Sequence, residues 1–256
     1  MKTHSLLFNM LLFILLPFQV LTAQNDDPLF NPRKESLGNF TQLKIYSGII
    51  VNLIPSDENK AIIYGDHYGG ILLKQKGNTL KVRMRFRELF HYNNTYVDLY
   101  FKRPLHVLKL HQGAQVNTQA PLKHNKIVIK AHEGARFDGV VNTELLITKA
   151  RTGGLVRLEG STSEHILKVS TGGICFAEDL LSDRTQVSIF AGGEAGVFSD
   201  QHIEAHVSMG GNIGIKGKPK SIIARRTFAG EIYSLNQNNN RFYFKRNRNR
   251  IQNQFK

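Results

Sequence analysis

Val207-Ser208-Met209-Gly210-Gly211-Asn212-Ile213-Gly214-Ile215-Lys216-Gly217-Lys218-Pro219 is the stretch that decides the fold. Apolar residues alternate on the way into Gly210-Gly211 and alternate again on the way out. The phrase recurs at Gly113-Ala114, Gly134-Ala135, Gly153-Gly154, Gly172-Gly173, Gly192-Gly193 and, with the order changed, Ala229-Gly230, at steps of 18 to 21 residues. A fixed period near twenty is the mark of a solenoid, in which each repeat is one coil stacked on the next.

Aligning the repeats on the first residue of each pair produces columns. Five residues earlier stand Leu108, Ile129, Thr148, Leu167, Val187, Ala205 and Ala224; three earlier stand Leu110, Ala131, Ala150, Val169, Ile189, Val207 and Arg226. Three later stand Val116, Phe137, Val156, Cys175, Ala195, Ile213 and Ile232; five later stand Thr118, Gly139, Leu158, Ala177, Val197, Ile215 and Ser234. Period-two alternation on both sides of a glycine describes two short strands, each with one face inward. The glycine is the corner between them, because it tolerates positive φ and close backbone approach. The expected fold is all-β: a right-handed parallel β-helix whose rungs of about twenty residues turn at glycine. An antiparallel Gly-rich sandwich is the alternative, but its reversing turns do not hold one column register over seven units.

Outward from the rungs, the pattern changes on both sides. Leu43, Ile45, Val51 and Leu53 flank Gly48 at the same offsets as in the later rungs, and residues 61–101 then break the period. Leu80 to Phe86 and Tyr96 to Phe101 each alternate and read as antiparallel strands that cap one end, since an open β-helix end would expose unpaired backbone and bare core. The chain therefore divides into N-terminal strands over 38–104 and regular rungs over 105–236, forming one domain. Residues 1–23 read as a secretory signal, with Lys2 and His4 before the apolar run Leu6 to Leu16 and a small-residue cleavage site at Leu21-Thr22-Ala23. Residues 24–37 read as a disordered leader and 237–256 as a basic tail, in which Phe242-Tyr243-Phe244 could add a short strand.

The Gly-cornered rungs, closed by Gly-Gly-x-Ile-x-Ile-x-Gly-x-Pro over Gly210 to Pro219, resemble the auto-transporter adhesin "head GIN domain" family. The opening phrase Phe40-Thr-Gln-Leu-Lys-Ile-Tyr-Ser-Gly-Ile-Ile-Val-Asn-Leu53 resembles that family's usual start. The resemblance implies an exported β-helical module of Gram-negative bacteria, in the periplasm or at the cell surface, with no established catalytic activity. Gln112-Gly113, Glu133-Gly134 and Thr171-Gly172 stand where that family more often has Ser-Gly-Ala.

The chain carries a formal charge of +14, which favours anionic partners such as acidic polysaccharide, lipopolysaccharide or a membrane surface. The outward columns concentrate that charge. Four residues before the corner stand Lys109, Lys130, Lys149 and Lys168; two before it stand His111, His132 and Arg151. Stacking at about 4.8 Å would turn them into a linear anion-binding face. Beside it, Val107, Val128, Ile147 and Ile166 also point outward and call for a cover, from the N-terminal strands or from a partner chain. Another envelope protein is the other expected kind of partner.

An enzyme of the polysaccharide lyase or hydrolase kind would need clustered carboxylates or a base in a cleft. Glu133, Asp138, Glu159, Glu178, Asp179, Asp183 and Glu194 are scattered along the rungs, and no Gly-x-Ser-x-Gly occurs. The expectation is a non-catalytic module without cofactor or metal. His202, Glu204 and His206 share a strand face but lack a metalloprotease spacing. The single cysteine, Cys175, falls in a core column and reads as a buried apolar residue. The exported character argues against specific nucleic-acid binding, although the tail mixes arginines with aromatics.

Overall fold

The computed structural model describes residues 32–88 and 94–236, together with the backbone of 242–243. The expected signal, most of the leader and nearly all of the basic tail lie outside the described residues.

Each corner from Gly48 to Gly210 is a four-residue turn with positive φ at both central positions; at the last one positive φ falls on Phe228 and Gly230 instead. Gln112 and Gly113 have φ of 54° and 73°, Glu133 and Gly134 58° and 72°, Thr171 and Gly172 52° and 71°. The turn closes by a backbone hydrogen bond across it: Ala114 N–H to His111 O at 3.2 Å, Ala135 to His132 at 3.1 Å, Gly154 to Arg151 at 2.9 Å. Corners are also tied to one another. In the first rungs the corner glycine N–H donates to the carbonyl of the residue before the next corner glycine, Gly48 to Gln112, Gly113 to Glu133 and Gly134 to Thr152, at 2.8–3.1 Å; in the last rungs it donates to the corner residue itself, Gly172 to Gly192, Gly192 to Gly210 and Gly210 to Ala229.

The strands before the corners form one parallel sheet, here sheet A, and those after the corners form a second, sheet B. In sheet A, Leu108, Ile129, Thr148, Leu167, Val187, Ala205 and Ala224 pair in one register. In sheet B, Val116, Phe137, Val156, Cys175, Ala195, Ile213 and Ile232 do the same. The inward columns merge into a single core, with Cys175 fully buried in it. The last rung departs, for Arg226 is exposed where its column is otherwise apolar.

Two further inward columns complete that core. Seven residues before the corner lie Ile127, Leu146, His165, Thr185, Ile203 and Ile222, all buried. Immediately after the corner residue lie Ala114, Ala135, Gly154 and Gly173. A Cβ on Gly173 would meet the Ala150 carbonyl oxygen at 2.2 Å, so this corner has closed onto the backbone below it. Opposite the glycine corner, the strands Arg136–Arg151, Leu155–Ser170 and Gly173–Phe190 bend from sheet B into sheet A without interruption. Hydroxyls hold that bend: Thr143 Oγ1 donates to Leu145 O (3.2 Å), Thr162 to Glu164 O (3.0 Å) and Ser182 to Arg184 O (2.8 Å).

The N-terminal strands occupy one end of the solenoid by continuing both sheets. The rung of Gln42–Ile45 and Ile50–Pro55 pairs in parallel with Val107–Leu110 and Gln115–Thr118 on one side. On its other side it pairs, again in parallel, with Thr79–Met84 and Thr95–Phe101. These last two, read from sequence as antiparallel, are so to their outer neighbours but parallel to this rung, and they continue it as a further rung. Leu80 and Val82, with Val97 and Leu99, extend the same core columns, which is what sets their direction. The antiparallel cap lies beyond them: Ile71–Lys76 closes sheet A, while Lys60–Gly65 and then Arg33–Ser36 close sheet B. At the far end Phe242–Tyr243 pairs antiparallel with Glu231–Ser234, as the tail's aromatic triplet suggested.

Two stability predictions follow from this core. Gly173→Ala should lower unfolding stability by about 2 kcal/mol or more, because the added methyl strikes fixed backbone. Thr171→Gly should raise it by about 0.5–1 kcal/mol, because relief of left-handed strain outweighs the entropy of the new glycine; urea titration of both variants checks the pair. His165 gives the second test. It is buried with Nε2 3.1 Å from Thr148 Oγ1, and burial pushes its pKa down to about 4. The folded chain refuses a proton that the unfolded chain accepts below about pH 6.5, so stability is lost as pH falls from there towards 4, by about 2–3 kcal/mol at pH 4.5. His165→Leu, which matches Leu146 in the same column, should flatten that part of the pH dependence in denaturation curves recorded between pH 7 and 4.5.

Candidate functional site

The outer face of sheet A carries a row of lysines longer than the repeats alone indicate. Lys109, Lys130, Lys149 and Lys168 pair directly in register. Lys109 also pairs with Lys44, Lys44 with Lys81, and Lys81 with Lys74. Seven lysines thus follow one another across seven adjacent strands, and at about 4.8 Å per strand they span about 29 Å. No carboxylate shares the row among the described residues. Beyond Lys168 it continues as Ser188, His206 and Arg225.

The crowding has an electrostatic consequence. The Lys130 ammonium is held below the usual lysine range, first by partial burial and then by Lys149, Lys109 and Arg151. Like charges opposite one another on neighbouring strands repel, so the row costs the fold energy that an anionic ligand would return.

His111, His132 and Arg151 flank the lysines as expected. Tyr46 stacks on His111 with centroids 5.1 Å apart and planes at 11°, and His111 meets His132 at 5.3 Å in a tilted contact. Arg151 Nε donates to Ser170 Oγ at 3.1 Å. His132 buries Nε2 without a hydrogen-bond partner; burial, then His111 and Arg151, lower its pKa. Its ring stands neutral beside the lysines and packs as an aromatic. All seven residues singled out from sequence thus lie on one face. Lys44 was legible too, four residues before Gly48, whereas Lys74 and Lys81 belong to strands outside the repeat and carry no periodic signal.

On the other flank, Val107, Val128, Ile147 and Ile166 pair in register and remain half-buried. The N-terminal strands do not cross over them, since they extend the sheets edgewise. Next to Ile166 the face dips into a shallow groove around Ser188, lined also by Lys168, His206 and Arg225.

The outer face of sheet B is different in kind. Asp98 accepts from Asn52 Nδ2 (2.8 Å) and Tyr64 OH (3.3 Å). Asp138 is paired with Arg136 and Arg157, and Asp179 with Lys216 Nζ at 2.7 Å. These three aspartates are engaged within the protein; Glu159 stands in register beside Asp179, and Asp183 and Asp200 line a shallow groove at the bend. Among the described residues no group of three or more His, Cys, Asp or Glu is arranged to hold a metal; His202 Nε2 lies 3.4 Å from Glu204 Oε1. Burial pushes the Cys175 thiol well up, away from reactivity.

Comparison with solved structures places this geometry among known molecules. A protein titled "putative adhesin" from Bacteroides fragilis superposes with a TM-score of 0.73 at 19% identity, over 80% of this chain and 96% of that one. Another from Parabacteroides merdae gives 0.59 at 18% identity, over 80% and 95%. A "putative lipid binding protein" from Parabacteroides distasonis gives 0.61 at 15% identity, over 80% and 96%. At these identities the likeness is one of fold. No curated protein matches the chain in sequence. The family described as "Putative auto-transporter adhesin, head GIN domain" matches residues 39–219. Those residues run from the first rung to the proline that closes the Gly210 phrase, and on that match the chain belongs to this adhesin-like family.

Proposed function

We propose that the protein is an exported, non-catalytic module of the cell envelope that holds an acidic polysaccharide or lipopolysaccharide along the outer face of sheet A. The observation that carries this reading is the register of seven lysines without an interposed acid. A flat row about 29 Å long offers a linear polyanion repeated charge contacts from an already rigid surface, so little ordering entropy is lost on binding. The adhesin-like family supports binding over catalysis.

A second reading has its own observation. The apolar row Val107, Val128, Ile147 and Ile166 lies alongside the lysines, an arrangement suited to peripheral contact with an anionic lipid surface. One structural neighbour is described as a "putative lipid binding protein". A partner protein or a second copy of this chain could cover the same row.

Replacing Lys130, Lys149 and Lys168 together by Gln should weaken binding of an acidic polysaccharide at least about tenfold at low salt, equivalent to about 1.4 kcal/mol. The difference should shrink as salt shortens the screening length to about 3 Å near 1 M. Titration calorimetry with a polyuronate, lipopolysaccharide and anionic vesicles, each at two salt concentrations, separates the readings. Unchanged affinity of the triple variant for all three would overturn the lysine face, and release of unsaturated sugar products would overturn the non-catalytic reading.

A further inference from the structure

From the way the lysine row ends, we infer a discrete subsite: the groove at Ser188 holds a single acidic sugar residue, such as the terminal uronate of a chain lying along the lysines. The inference rests on the proposed polyanion reading and adds to it an address for the end of the ligand.

The groove exists because of one residue. In the register of the row, Ser188 follows Lys168 and precedes His206 and Arg225. A short side chain among long ones leaves a dip in an otherwise filled surface. The dip has a volume of about 260 Å³. That lies just below the roughly 300–1,000 Å³ of sites for drug-sized ligands, so the space suits one ring and not an oligosaccharide.

Its lining combines the three kinds of group an acidic sugar needs. Lys168 and Arg225 stand at opposite edges of the dip, three strands or about 14 Å apart, and Arg225 can bind a carboxylate through two parallel hydrogen bonds. Gln186 and Glu204, in the adjacent column, offer an amide and a carboxylate to ring hydroxyls. Ile166 and Ile223, at the two ends of that column, supply apolar surface for the C–H face of the ring. From Lys109 to Lys168 the adjacent column is aliphatic, Val107, Val128, Ile147 and Ile166, so that stretch of the row reads charge alone. Row and groove therefore divide the work, the row attracting any linear polyanion and the groove selecting a sugar with both a carboxylate and free hydroxyls.

Ser188→Lys separates the two roles, because it extends the row to an eighth lysine while filling the groove. Two probes are used, a uronate trisaccharide and the corresponding long polymer, with a neutral trisaccharide as control. The wild-type protein should bind the acidic trisaccharide and not the neutral one. Ser188→Lys should weaken trisaccharide binding about tenfold or more, while leaving polymer binding unchanged or tighter. Arg225→Gln should weaken the trisaccharide likewise, whereas Lys109→Gln with Lys130→Gln and Lys149→Gln should weaken mainly the polymer. Thermal unfolding followed by circular dichroism confirms that the variants are folded. The subsite is overturned if Ser188→Lys leaves the trisaccharide unchanged or tightens it, if the neutral sugar binds equally, or if the polymer binds but the trisaccharide does not. In that last case the lysine row still stands; loss of both ligands by the wild type sinks row and groove together.

Discussion

The structure depends on a corner in which two consecutive residues adopt left-handed backbone, closed across the turn and hydrogen-bonded to the next corner. A turn of this type is demanding, for only glycine takes the conformation without cost. Yet the first central position of the corners is filled by Ser47, Gln112, Glu133, Thr152, Thr171, Ala191, Met209 and, before Ala229, Phe228, all at positive φ. The strain persists because the stacked corners over-determine it. What it secures is register. A strand that slipped by one residue would send its apolar residues outward and its lysines into the core, so the corner ladder fixes at once which column is buried and which meets solvent.

A fixed register makes the lysine row unavoidable once lysine occupies the same place in successive rungs. In water, neighbouring charges at about 5 Å repel by under roughly 1 kcal/mol per pair. Each rung buries several aliphatic side chains, each contributing about 1.5–3 kcal/mol, so the core carries the repulsion easily. The row is therefore tolerated by the fold without being required by it.

The repeat columns were legible because alternation around a glycine has one reading once it recurs seven times. The four core columns, the burial of Cys175, the outward lysines and the His111–His132–Arg151 flank were all placed correctly by offset alone. The column headed by Ile127 was not found, since in two rungs it carries His165 and Thr185, polar side chains that are buried only because each finds a hydroxyl or carbonyl partner. The bend held by Thr143, Thr162 and Ser182 was missed for a related reason: hydroxyls bonding to backbone leave no hydrophobic pattern. The N-terminal strands were read correctly as antiparallel towards their outer neighbours, Ile71–Lys76 and Lys60–Gly65, but their parallel pairing with the first rung was missed. Alternation reports which face is buried but says nothing of chain polarity, and Thr79–Met84 and Thr95–Phe101 run parallel because the rung they extend does.

The contrast between the two outer faces bears on why the row is there. Both faces are laid out by the same corners, and both carry charged residues at each rung. On sheet B three aspartates are met: Asp138 by Arg136 and Arg157, Asp179 by Lys216, Asp98 by Asn52 and Tyr64. Had basic charge served solubility alone, it could have been dispersed or paired in the same way on sheet A. Instead lysine is repeated down a single column, where repulsion is greatest, and the column is broken by Ser188 at a point lined with hydroxyl-binding groups. A row that repels itself gains most from a ligand with regularly spaced negative charge, and a row with a defined end can fix where that ligand stops.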